Sequence, residues 1–261
     1  MPKQKVKDIE MYYEITGEGD PLLLIHGLGS STRDWEEQIP VFSEKFQVIT
    51  IDLRGHGKTD KPKGPYSIKL FAEDIVELLN KLEIKRVNVL GISLGGGVAF
   101  QFAVDYPDLV KSLIIVNSTS EVLMDSFKQK REFIKRLFII KLVGMKKMGQ
   151  VLAPRLFIKP EQEDKRLKLI ERWAENDKKA YLAALKTLKG WSVRENLATI
   201  LCPTLVIGSD EDYSPSSVKK EFTSLIPNAK FIEIEDARHA VPIEKPEEFN
   251  KIIMEFLLEH S

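Results

Sequence analysis

Short apolar runs recur along the chain at Leu22–His26, Val48–Ile51, Val87–Leu90, Leu113–Val116, Leu205–Ile207 and Phe231–Ile234. Each is rich in Val, Ile and Leu and bounded by Gly, Asp, Asn or Ser. Unbroken runs of this length predict strands buried on both faces of a parallel sheet. Between them, Ile68–Leu82, Val98–Tyr106, Ser216–Leu225 and Glu247–Leu258 place apolar residues three and four apart, the spacing of a helix with one buried stripe. The alternation predicts βαβ crossovers and a mostly parallel sheet of about eight strands covered on both faces. Ile9–Ile15, followed by Gly17-Glu18-Gly19-Asp20, reads as an edge hairpin that turns at the glycines.

The alternation lapses between Thr119 and Val193. No strand is expected there. Phe133, Ile134, Leu137, Phe138, Lys141 and Leu142 recur at helical spacing, as do Trp173, Tyr181, Leu185 and Leu188, while Pro154 and Pro160 punctuate the stretch. The organisation is therefore read as an α/β core over residues 1–118, a helical insertion over 119–193, and the rest of the core over 194–261. A chain of 261 residues fits one such domain.

Charge refines this picture. Lys and Arg total 39, as do Asp and Glu, so the chain is neutral overall. That balance excludes a bulk polyanion-binding protein, and no nucleic-acid partner is expected. From Glu121 to Pro160, however, ten basic residues face three acidic ones. The excess is read as solvated faces of amphipathic helices. Docking onto an acidic carrier protein or an anionic membrane surface is the alternative. Cys202 is the single cysteine, which excludes an internal disulfide and suits a reducing compartment. The N-terminus lacks the apolar core of a secretion signal, and no run approaches the ~18 apolar residues of a membrane span. A soluble, cytoplasmic protein without a membrane span is expected.

The most specific chemical signal is Gly91-Ile92-Ser93-Leu94-Gly95, placed between a strand and a helix. A serine hydroxyl is a weak nucleophile unless a sharp turn exposes it beside a base. Glycines two before and two after make room for that turn, and the Leu94 N–H at the helix start points toward developing negative charge. Of four histidines, His260 is penultimate, His56 lies in a Gly-flanked turn, and His26 ends a buried strand. His239, in the loop after the last strand, remains as the base. The loop after Leu205–Ile207 carries Asp210, Glu211 and Asp212, and one of Asp210 and Asp212 is read as the carboxylate that orients His239. Asn117 holds the matching position after the preceding strand, but an amide cannot stabilise a charged imidazole.

With these residues in hand, the whole chain resembles the α/β-hydrolase superfamily, whose nucleophile, acid and base occur in the order seen here. His26-Gly27-Leu28-Gly29 resembles the family's oxyanion loop, which implies that the Leu28 N–H joins that of Leu94. Asp52-Leu53-Arg54-Gly55-His56-Gly57 resembles its structural turn. Asp212-Tyr213-Ser214-Pro215 resembles the stretch whose leading Asp is catalytic, which favours Asp212 over Asp210. The insertion corresponds to the family's cap. The resemblance implies a Ser93–Asp212–His239 triad but says little about substrate; a serine esterase or lactonase is placed first because that chemistry asks least of the site, and the aromatics of the cap point to a small substrate with an apolar acyl group.

Some of Phe133, Phe138, Phe157, Trp173, Tyr181 and Trp191 are expected to line the pocket, and most to form cap core. Ser93 at the elbow argues against dehalogenases and epoxide hydrolases, which use Asp there. No phosphate loop, dinucleotide fingerprint or metal spacing occurs, so cofactor-free and metal-free chemistry is expected. The alternatives are a C–C bond hydrolase, aminopeptidase or perhydrolase of the same fold, or a slow-turnover ligand sensor.

Overall fold

The computed structural model describes residues 2–260, apart from the side chains of Lys128 and Gln129. Lys128, one of the ten basic residues between Glu121 and Pro160, thus has its side chain outside the described residues. The strands are β1 (Lys3–Val6), β2 (Ile9–Thr16), β3 (Asp20–Ile25), β4 (Phe46–Ile51), β5 (Val87–Ile92), β6 (Val110–Val116), β7 (Glu121–Val122), β8 (Trp191–Ser192), β9 (Thr204–Ser209) and β10 (Ala229–Ile234). The helices are α1 (Ile39–Phe42), α2 (Ile68–Lys81), α3 (Leu94–Asp105), α4 (Phe127–Val143), α5 (Met145–Leu156), α6 (Glu163–Ala174), α7 (Lys178–Thr187), α8 (Ser216–Thr223), α9 (Val241–Glu244) and α10 (Pro246–Glu259).

Eight strands form one sheet in the order β1-β2-β4-β3-β5-β6-β9-β10. The six from β4 to β10 run parallel, and β2 joins β4 antiparallel. The pleat sends alternate residues to opposite faces. Leu23, Ile25, Ile49, Val89, Ile115 and Val206 pack against helices α2, α3 and α8 through Phe71, Phe100 and Phe222. Leu22, Leu24, Val48, Leu90, Ile114 and Leu205 pack on the other face against Phe42 of α1 and Phe249, Ile253 and Phe256 of α10. Both faces of the central strands are thus covered, which explains why they read as runs dominated by apolar residues.

Three local expectations need correction. The N-terminal hairpin turns at Lys7-Asp8, not at the glycines, because Lys3–Val6 pairs antiparallel with Ile9–Tyr12. Its Lys3-Gln4-Lys5 sequence hides a strand from apolar patterning, and lysines suit an exposed edge. Gly17–Gly19 instead carries the chain from β2 past β4 to β3. The insertion does contain strand: β7 and β8 pair as a two-residue ribbon, so the excursion leaves and rejoins the core at one place. Too few residues pair there to give a periodicity. Finally, α3 runs from Leu94, where the serine motif placed the helix start, and not from Val98, where the apolar spacing begins, because Gly95–Gly97 are buried helical residues.

Within the insertion, α4 to α7 pack around Ile140, Met145, Met148, Trp173, Tyr181 and Leu185. Among the described residues no helix is long and apolar enough to cross a membrane.

On the core side, the turn after β4 is anchored by Arg54. Its Nε and Nη2 donate to both carboxylate oxygens of Asp74 on α2 at 2.7 and 2.8 Å, and Nη2 also meets Asp8 at 2.7 Å. Arg54 and Asp74 are buried, whereas Asp8 is exposed. Removing one member of a buried pair strands the other charge, so Asp74→Ala is expected to cost about 3–5 kcal/mol of unfolding free energy. Asp8→Ala should cost under about 1 kcal/mol, because its partner charge is held in place by Asp74 and its own end is in water. Urea titrations of the two variants measure the difference, and equal losses would refute the anchoring role of Asp74.

Candidate active site

The carboxyl ends of β3, β4, β5, β6, β9 and β10 share one edge of the sheet, where open α/β folds collect functional groups. Ser93 follows β5 directly and adopts φ +55°, ψ −117°, a left-handed conformation costly for a residue with a side chain. Its N–H donates to the Val116 carbonyl at 3.0 Å, and its carbonyl accepts from the Gly97 N–H at 3.1 Å and the Ser118 hydroxyl at 2.7 Å. The turn is too crowded for side chains on its flanks. A Cβ at Gly91 would lie 2.2 Å from the Gly95 carbonyl oxygen, and one at Gly95 would lie 2.1 Å from that of Ile25. Because Gly97 makes the first helical bond of α3, the N–H groups of Leu94, Gly95 and Gly96 precede the helical ladder beside Ser93. Gly27, after β3, crosses the Ser93 side chain closely: a Cβ there would meet Ser93 Cβ at 3.5 Å. Leu28 thus begins the loop that passes over the serine.

Across the same edge, His239 Nδ1 donates to Asp212 Oδ1 at 2.6 Å. The other carboxylate oxygen, Oδ2, accepts from Lys219 Nζ at 2.7 Å and from the Ser214 hydroxyl at 3.2 Å. Lys219 also donates to the Ser214 carbonyl at 2.8 Å, and neither Lys219 nor Asp212 reaches solvent. Burial alone would raise the Asp212 carboxyl, but the hydrogen bonds and charges of His239 and Lys219 overrule it and hold it down at about 2. The ring of Tyr213 lies over that of His239, with centroids 4.5 Å apart.

Asp210 makes a different set of bonds. Its two oxygens accept from the backbone N–H groups of Asp236 and Ala237 at 3.0 and 3.1 Å, tying the β9 loop to the β10 loop. Asn117 completes the frame. Its side chain donates to Ser209 Oγ and to the carbonyls of Arg238 and His239, and it accepts from the Ser209 N–H at 2.9 Å. The amide unsuited to orienting an imidazole by charge instead fastens the two loops that carry Asp212 and His239.

The remaining histidines are engaged elsewhere. His26 accepts from the Leu53 N–H through Nε2 at 3.1 Å and donates from Nδ1 to the Gly27 carbonyl at 2.7 Å, and burial pushes its ring down to about 4. His56 donates from Nδ1 to the Arg54 carbonyl at 3.1 Å, and burial, then the nearby His26, lowers it to about 3. His260 caps α10 with its ring against Phe256. Asp52 accepts from the N–H groups of Thr32 and Lys58, both at 2.7 Å, and so holds the loops after β3 and β4 together. Among the described residues, no group of three or more His, Cys, Asp or Glu side chains is placed to hold a metal ion.

The insertion reaches this edge from both sides. Asn176 Nδ2 donates to the Gly29 carbonyl, and Arg172 and Lys168 pair with Glu36 beyond that loop. Lys159 pairs with Asp236, and Gln162 donates to Glu244, whose other oxygen accepts from the Arg238 N–H at 2.6 Å. A cavity of about 350 Å³ lies between α6 and the loop after β3, with Gly29, Thr32, Phe157, Leu169 and Trp173 on its wall.

Of the aromatics expected to be shared between pocket and cap core, Phe157 and Trp173 line the cavity and Trp173, Tyr181 and Phe133 pack in or against the insertion's core, whereas Trp191 and Phe138 do neither. Phe157, Trp173 and Tyr181 are buried, with Trp173 and Tyr181 edged against Gly29, while Phe133 packs at the margin of their cluster. Trp191 packs on α3, donating from its indole to Gln101. Phe138 faces solvent and serves neither purpose.

Lys219 is the site residue that sequence reading passed over. It stands three before Phe222 on α8, on the stripe turned toward the sheet, and a lysine at such a position needs a buried anion. That spacing was the available signal.

A family model described as "alpha/beta hydrolase fold" matches residues 20–140. The provisionally named carbamate hydrolase RutD of Azorhizobium caulinodans is 28% identical over 98% of this chain and 98% of its own. Among solved structures, a thermophilic esterase from Thermogutta terrifontis superposes with a TM-score of 0.91 at 28% identity, covering 100% of both chains. The enol-lactonase from Burkholderia xenovorans LB400 does so with 0.91 at 26% identity, over 98% of this chain and 100% of that one.

The Asp212 environment makes a stability prediction. A carboxyl held below its unfolded value stabilises the fold above the unfolded pKa, and this contribution is lost as pH falls through the folded pKa. For Asp212 the window runs from about 4 down to about 2, with a magnitude of about 2 kcal/mol. Asp212→Asn, which also leaves Lys219 without its counter-charge, should therefore be clearly less stable than the parent at pH 6, with the gap narrowing toward pH 2. A gap independent of pH, measured by denaturant unfolding, would contradict this arrangement.

Proposed function

The chain is a hydrolase of the α/β-hydrolase superfamily, and we propose that it cleaves a small carboxylic ester or lactone through an acyl-enzyme on Ser93. The observation that carries this reading is the pairing of two features on one sheet edge: a serine in a strained strand-to-helix turn and a histidine bonded to a buried carboxylate. In this mechanism His239 takes the Ser93 proton as the hydroxyl attacks the carbonyl carbon. The N–H groups of Leu28 and Leu94 receive the developing oxyanion. His239 then protonates the departing alcohol, or the released end of the lactone ring, and water repeats the steps to free the acid and restore Ser93. Asp212 keeps the proton on Nδ1, leaving Nε2 free to act as base, and stabilises the imidazolium that follows.

Residues 119–193 act as the cap, closing over the site through α6, whose neighbours grip the loops on either side of it. The esterase and enol-lactonase among the structural neighbours support an acyl-carbonyl substrate. The carbamate hydrolase relative favours a second reading, in which the same steps act on a carbamate. A panel of esters, lactones and carbamates of graded acyl length separates the two by their ratios of kcat/KM.

The covalent step is tested by a fluorophosphonate probe, which should add one label per chain on the peptide containing Ser93. Ser93→Ala should abolish labelling and lower kcat by on the order of 10⁴–10⁶. Full turnover by that variant would sink the acyl-enzyme.

The two aspartates should separate in kinetics. Asp212→Asn turns the imidazole tautomer and is expected to cost about 10⁴ in kcat, the loss seen when a serine protease is altered in this way. Asp210→Asn weakens two backbone bonds of the His239 loop and should cost about 1–3 kcal/mol of stability, with at most a tenfold fall in kcat. The reverse order of kcat losses would move the orienting role to Asp210.

A further inference from the structure

Helix α4 has two apolar faces, and only one of them is covered. Phe133, Leu137 and Ile140 turn inward onto the insertion's own core. Phe127, Ile134, Phe138 and Leu142 turn outward, with exposures of 83%, 63%, 62% and 66%. At 100° per residue these four fall within an arc of about 80°, forming a ridge along the helix. Lys130 and Lys141 border the ridge on one side, Lys135 borders it on the other, and Arg131 lies within it; all four are exposed. Glu132 is the one acid on the helix. Among the described residues, Lys130, Lys135 and Lys141 form no ion pair, and Arg131 reaches only Glu132, at 3.8 Å.

We propose that this outer face of α4 docks the protein onto an anionic lipid bilayer surface. A helix lying in the interfacial plane needs a ridge of Phe, Ile and Leu facing the acyl chains and flexible cations on both sides reaching anionic headgroups, and α4 has both. Solvated polar faces, the expectation from charge alone, do not account for four large apolar side chains in water. A second copy of the chain is the wrong occupant: a two-fold contact through this face sets a cationic helix against itself, with one acid apiece to offset the lysines. A soluble acidic protein would pair the lysines but would also need an apolar groove to take a convex ridge, whereas a bilayer needs no such shape.

The test uses the full chain and sedimentation with vesicles, either of pure phosphatidylcholine or of equal parts phosphatidylcholine and phosphatidylglycerol. Binding is expected to the mixed vesicles alone and to fade at about 1 M salt, where the Debye length is ~3 Å. Each lysine removed should weaken binding about fivefold, so the combined Lys130→Gln, Lys135→Gln and Lys141→Gln variant should lose about a hundredfold. Phe127→Ser with Phe138→Ser keeps every charge and should lose at least tenfold. Thermal melts of both variants matching the parent establish that these exposed changes leave the fold intact. Failure to bind mixed vesicles overturns the proposal, whether the parent is inert, dimerises through Phe138, or binds polyglutamate instead. Binding that the serine pair leaves unchanged also overturns it, because adsorption by charge alone does not use the ridge.

Discussion

The space between β5, β3 and the first turn of α3 is the constraint on which the site depends. Strand and helix meet there so closely that the backbone of Gly95 lies against the carbonyl of Ile25, and Gly91 lies against Gly95. No side chain fits at either position. The chain can reverse in that space only by forcing Ser93 to positive φ, and the surrounding bonds to Val116, Gly97 and Ser118 hold it there. Exposure of the serine and the presence of helix N–H groups beside it both follow from this one close approach.

The second half of the site rests on a buried charge. Asp212 has no access to water, so its two oxygens must be satisfied by the protein, and they are divided between His239 and Lys219. A carboxylate held in this way is rigid as well as ionised, because moving it would leave Lys219 without a counter-charge in the interior. Asn117 acts on the same loops without charge, with both ends of its side-chain amide bonded to Ser209 or to the backbone at Arg238 and His239. Fixed neutral bonds and a buried ion pair therefore hold the sheet side of the site. The insertion side is also held by partly exposed ion pairs such as Arg33–Glu175 and Arg172–Glu36, which salt weakens.

The insertion itself departs from ordinary amphipathic design. Its inner core is small, and helix α4 uses only half of its apolar residues to build it. The other half lies along a cationic ridge in contact with solvent, which gives a neutral protein one locally charged and apolar surface.

How much of this was legible in the chain depends on the range of the interaction involved. Buried parallel strands must be apolar on both faces, so β3, β4, β5, β6 and β9 appear as apolar runs, as does the half-buried edge strand β10, and strain at Ser93 requires glycines two residues to each side. Those are local consequences of sheet and turn geometry, and the amino-acid sequence by itself determined them, together with the α/β architecture and the helical nature of the insertion. The edge strand β1 and the two-residue ribbon escaped because an exposed or very short strand imposes no apolar pattern. Lys219 shows the other limit. A lysine on a helix looks the same whether it faces water or a carboxylate, and α8 brings it to Asp212 only through packing against β9. Likewise the outward turn of Ile134 and Phe138 follows from which face of α4 the neighbouring helices cover. Helical spacing places apolar residues on a helix, but only the tertiary structure decides which of them are covered, because burial is a property of the partner surface as much as of the sequence.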